Sequence, residues 1–72
     1  MTVDLQKIEL FLTEGLQMNG LDKESVMAFI GEHLTPIEYS KVEYFLNWLI
    51  KENRTFGTAN FQEVWAEWES NN

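Results

Sequence analysis

Apolar residues recur at helical spacing in four separate stretches of this chain, and no stretch shows the strict alternation of a half-buried strand. The first stretch places Leu5, Ile8, Leu12 and Leu16 on one face, flanked by Phe11. It predicts a helix from about Val3 to Met18, capped by Thr2. Gly15 lies on the same face. A helical Gly costs roughly 1 kcal/mol against Ala, so close approach of a second helix backbone is expected there. Val3 and Leu10 point the other way, and Asn19-Gly20 supplies a stop that tolerates left-handed backbone.

A second helix is expected over about 22–33. Asp22 can cap it, and Glu24 sits in a first turn where the helix dipole favours negative charge. Val26, Phe29, Ile30 and His33 share one face at i, i+3, i+4, i+7. Thr35-Pro36 ends this helix, because the residue before a proline avoids helical backbone. It also starts the next one. Thr35, Pro36 and Glu38 form a capping box with proline at the first helical position, and Leu34 and Tyr39 stand where a hydrophobic staple would bridge the corner.

The third stretch, about 36–53, has two apolar faces. At about 100° per residue, Tyr39, Val42, Phe45, Leu46, Leu49 and Ile50 form a broad arc, and Ile37, Tyr44 and Trp48 form a second stripe nearly opposite. Ser40, Glu43, Asn47 and Lys51 fill the polar wedge. A helix that is apolar nearly all round is expected to be buried nearly all round, which makes this the central helix. After a connector containing Phe56 and Gly57, a last helix is expected over about 61–69. Asn60 would cap it, Glu63 would complete a capping box, and Phe61, Val64, Trp65 and Trp68 would form one stripe. Ser70-Asn71-Asn72 should fray. The expected fold is all-α, a compact single-domain bundle of four helices around the third.

Composition narrows the function more than it identifies one. Seventy-two residues without a cysteine must be stabilised by packing or by self-association, with neither disulfide nor thiolate metal site available. A lone His builds no zinc cage, and no metal or cofactor is expected. Twelve acidic residues against five basic ones give a net charge of −7, which argues against direct nucleic-acid binding and against anionic membrane surfaces. A partner should therefore be basic or apolar. The N-terminal residues carry no signal-peptide pattern and no apolar run reaches membrane-spanning length, so a cytoplasmic setting is expected.

Candidate chemistry is sparse. His33 sits in the last turn of its expected helix, where a cation meets the helix dipole well, and that structural role accounts for it. Ser25 is accounted for as a first-turn residue and Ser40 as a surface helix residue, the four glycines are dispersed, and Glu63 and Glu67 share a face without a His at ligand spacing. No enzymatic activity is expected. The segment Phe61-Gln62-Glu63-Val64-Trp65-Ala66-Glu67-Trp68 resembles the last helix of small sterile-alpha-motif-like bacterial domains, a likeness confined to that helix. In being short, acidic, cysteine-free and rich in aromatics, the chain also resembles small phage-encoded proteins that bind host machinery.

The surplus of aromatic surface remains. Tyr and Trp are the residues that protein interfaces favour. The expected function is a non-catalytic protein-binding module, acting as an inhibitor or regulator. Tyr44 and Trp48 would be its anchors, Ile37 and Lys41 would support them, and Glu38, Glu43 and Glu52 would form a charged rim. Two alternatives use the same half of the chain. The stripe could join two copies in a homodimer. Alternatively, Glu38, Glu43, Glu52, Glu63, Glu67 and Glu69 could imitate nucleic-acid phosphates and block a basic groove.

Overall fold

The computed structural model describes residues 3–20, 22–57 and 60–71. They form four helices, α1 (Leu5–Asn19), α2 (Lys23–Ile30), α3 (Pro36–Glu52) and α4 (Phe61–Ser70), with no strand among the described residues. None of these helices is long and apolar enough to cross a membrane.

The helix starts follow from local chemistry. Asp4 caps α1, its carboxylate accepting the Lys7 N–H at 3.1 Å; the expected cap Thr2 lies outside the described residues. Because α1 begins at Leu5, the helical period does not reach Val3, which packs against the core instead of pointing away from it. Asp22 caps α2 by accepting the Ser25 N–H. The capping box of α3 forms as the sequence predicts: Glu38 N–H donates to Thr35 Oγ1 at 3.3 Å, and Thr35 N–H donates to Glu38 Oε1 at 3.0 Å. The box expected on α4 does not form. Asn60 turns its Oδ1 back to accept the Gly57 N–H at 2.6 Å, and Glu63 stays exposed.

The helix ends also differ from the periodic reading. Helix α2 stops at Ile30, and His33 N–H and Leu34 N–H both turn back onto the Ile30 carbonyl, at 2.9 and 3.0 Å. His33 therefore lies in the corner after the helix and not in its last turn. The chain must leave helical geometry before Pro36. At the other end of α3, Asn53 adopts left-handed backbone at φ 54°, the conformation expected of a C-terminal stop. Helix α4 persists through Ser70, one residue beyond the expected limit, and the Asn71 side chain donates to the Glu67 carbonyl at 2.9 Å.

One core joins all four helices: Ile8 and Leu12 from α1, Val26, Met27 and Ile30 from α2, Val42, Phe45, Leu46 and Leu49 from α3, and Phe61, Val64, Trp65 and Trp68 from α4. Gly15 explains how closely α1 and α2 approach. A Cβ there would meet Phe29 Cδ2 and Val26 Cγ1, each at 3.3 Å. The close neighbours are side chains of α2, not the helix backbone that the sequence suggested. Phe45 is the hub of the other half, with ring centroids 4.8 Å from Trp65, 5.6 Å from Trp68 and 5.8 Å from Phe61. The radius of gyration of 11.1 Å is that of a packed domain of this length.

Candidate functional site

Helix α3 is not buried all round. Its core arc runs through Val42, Phe45, Leu46 and Leu49, and α4 lays its aromatic stripe over that arc. Ile50, expected on the arc, lies past its edge and is largely exposed. On the other side Tyr44 is 66% exposed and Ile37 41%. Trp48 is partly buried, less exposed than either. Its ring stacks on Phe45 at 6.1 Å, and the Arg54 guanidinium sits over its face at 5.6 Å. A cation over an aromatic face is attracted by the ring quadrupole, so Trp48 is held from two directions with part of its surface free. The four expected anchoring and supporting residues, Ile37, Lys41, Tyr44 and Trp48, thus lie along one side of a regular helix, none of them fully buried.

The charged rim is rearranged. Glu38 is the clearest correction: it is 5% exposed and belongs to the interior. Its Oε1 accepts from Lys7 Nζ at 2.8 Å as well as from Thr35, and its Oε2 accepts the Asp4 N–H at 3.1 Å. One carboxylate therefore receives the backbone N–H groups of the cap residues of both α1 and α3, with an ammonium beside it. Burial alone would raise its pKa. The hydrogen bonds from Lys7, Thr35 and Asp4, with the Lys7 charge, outweigh burial and hold the carboxyl at about 2. The sequence shows the local half of this arrangement, the capping box. Nothing in the spacing of Asp4 and Lys7 announces the other half.

Most of the remaining carboxylates near α3 are paired within the chain. Glu43 lies 3.6 Å from Lys23 of α2, and Glu69 lies 3.6 Å from Lys41. Arg54 donates through both terminal nitrogens to the Glu67 carboxylate, Nη2 to Oε1 at 2.8 Å. That hydrogen-bonded pair lowers the Glu67 pKa and raises that of Arg54. Glu52 is exposed and forms no ion pair among the described residues. Of the six carboxylates of the expected acidic surface, Glu52 and Glu63 have no paired cation among the described residues. Unpaired acids lie instead on α1, α2 and the corner after it, at Glu9, Glu14, Glu24 and Glu32. There Glu9 and Glu14 flank a shallow groove beside Leu10, which is 58% exposed.

Little gathers around the side chains with other chemistry. His33 is exposed, its ring flat against Phe11 at 4.3 Å and tilted against Phe29 at 5.2 Å. The Ser25 hydroxyl donates to the capping Asp22 at 3.0 Å. No cluster of His, Asp or Glu able to hold a metal ion occurs among the described residues. Comparison with family models, with curated proteins and with solved structures finds no match. The geometry of α3 therefore carries the functional reading alone.

Proposed function

We propose that this protein is a non-catalytic binding module that docks another protein chain through the bare side of α3, and that it regulates or inhibits what it docks. The observation that supports this is the exposure of Tyr44 and Ile37 on a rigid helix, beside a Trp48 whose ring is already oriented by Phe45 and Arg54. Rigid aromatic side chains lose little freedom on binding and carry much of the energy at interface centres. The anchors are Tyr44 and Trp48, Ile37 and Lys41 contribute beside them, and Glu52 is the rim carboxylate left unpaired. Glu43 and Lys23 form an ion pair at the edge, and Glu38 is assigned to the fold. A cytoplasmic setting belongs to the same proposal.

Nucleic-acid mimicry is the weaker reading. Four of its six carboxylates, Glu38, Glu43, Glu67 and Glu69, are matched by Lys7, Lys23, Arg54 and Lys41, which cancels much of the field that mimicry requires.

The test is affinity capture from cells of the native source, with the wild-type chain and Tyr44→Ala as parallel baits, followed by titration of the purified partner. The expected result is a partner whose affinity falls at least about tenfold with Tyr44→Ala and with Trp48→Ala, while circular dichroism is unchanged. Partners that bind both variants as tightly as wild type would show that this face is not the docking surface.

A further inference from the structure

The bare side of α3 has a regularity of its own. Ile37, Lys41, Tyr44 and Trp48 follow one another in steps of four, three and four residues. That is the spacing of a coiled-coil seam, which two helices bury by packing knobs into holes. The core does not use this seam, since it takes Val42, Phe45, Leu46 and Leu49 from the neighbouring arc. The spacing of the seam, though not its residues, is the same from both ends. Turned antiparallel about a level between Val42 and Glu43, it sets Ile37 opposite Trp48 and Lys41 opposite Tyr44, each pairing occurring twice. An apolar pair then closes each end, and an ammonium meets an aromatic ring on either side of the axis.

The charges decide between a basic partner and a like-charged one. A basic partner would be drawn to the unmatched carboxylates Glu9, Glu14, Glu24, Glu32 and Glu63, which lie on other elements; on α3 the one carboxylate without an ion pair among the described residues is Glu52, and the exposed Lys51 stands next to it. Beside the seam, Lys41 faces Glu69 at 3.6 Å and Arg54 holds Glu67, so charge is locally cancelled. A second chain of charge −7 can approach on such a face, because in physiological salt the more distant charges are screened beyond about 8 Å. The available length is adequate as well. The seam from Ile37 to Trp48 spans about 17 Å along a molecule whose longest dimension is 29 Å. A standard interface takes about 800 Å² from each partner, roughly a sixth of the 4671 Å² this chain exposes.

We infer that the occupant of this face is a second copy of the chain, its α3 antiparallel to the first. This rests on the reading of the α3 face as a docking surface and names what docks there. Lys41 at a seam position sets the register while weakening the contact, so the dimer forms and dissociates with concentration.

Sedimentation equilibrium from about 1 μM to about 1 mM, the span in which modest interfaces dissociate, tests this. The expected result is a mass that rises from one chain to two. Tyr44→Glu should weaken the dimer by at least about tenfold with an unchanged thermal midpoint at about 1 μM, where both proteins are single chains, since Tyr44 is 66% exposed in the single chain. The chain has no cysteine, so engineered thiols report the register. Lys41→Cys mixed with Tyr44→Cys should give the mixed disulfide several-fold over either like pair. A single-chain mass throughout, a dimer indifferent to Tyr44→Glu, or a preference for like pairs would overturn the inference. A monomer that still loses a captured partner with Tyr44→Ala overturns the second copy and leaves the docking surface standing. A dimer with no other partner supports this inference and removes the larger target.

Discussion

Phe45 and Tyr44 are neighbours in sequence and opposites in the fold. Phe45 is fully buried against Phe61, Trp65 and Trp68, whereas Tyr44 is 66% exposed one residue away. Successive residues on a helix point about 100° apart, so one helix presents both sides. Both sides are apolar, and one is the core because the other three helices pack on it. Amphipathic pattern thus identifies faces that can be buried, and the path of the remaining chain selects which of them is.

The sharpest test of this contrast is a pair of truncations. Phe45→Ala should lose about 3–5 kcal/mol, a large part of what a chain of this length has, and leave it marginally stable at room temperature. Tyr44→Ala should change stability by less than about 0.5 kcal/mol. Urea denaturation followed by circular dichroism reads both. Equal losses would mean that the two sides are not differently covered.

Glu38 gives the next largest effect. Its folded pKa of about 2 lies below the ordinary 4.5, so the folded state favours the carboxylate. The resulting stability is present in full above about pH 4.5 and is lost as pH falls toward 2. Glu38→Gln should lose on the order of 2 kcal/mol at neutral pH, and its urea midpoint should vary less between pH 5 and pH 3 than that of wild type. A wild-type midpoint flat over that range would remove the assigned role.

The approach of α1 to α2 comes third. Gly15→Leu should cost about 1–3 kcal/mol by overpacking against Phe29 and Val26. For Gly15→Ala the helix-propensity gain of about 1 kcal/mol is set against two contacts at 3.3 Å, and thermal melting should move little. A stabilised Gly15→Leu variant would show that the two helices are not in close contact. The smallest effect belongs to the edge of the bare face. Arg54→Ala removes an exposed ion pair and should leave the thermal midpoint nearly unchanged. It should nevertheless make tryptophan emission more accessible to acrylamide, because Trp65 and Trp68 are buried and Trp48 is the ring Arg54 covers. Unchanged quenching would mean that Arg54 does not shield that ring.

The sequence by itself determined the four helices, the Thr35–Glu38 capping box and the Asp22 cap. Each depends on residues within one or two turns of one another, or on a period that a helix imposes throughout. It also contained the Ile37–Tyr44–Trp48 stripe, because a stripe is a matter of spacing. Only the tertiary structure decided what covers each face. Glu38 read as rim because its local partners are exposed groups at a helix start; Asp4 and Lys7, more than thirty residues away, make it interior. Asn60 read as a cap because of its place before Phe61, and the path of the connector turned it toward Gly57. The choice between the two apolar sides of α3 was likewise outside the reach of periodicity. Both sides carry apolar residues at helical spacing, and the side that is covered is the broader one, on which α1, α2 and α4 converge.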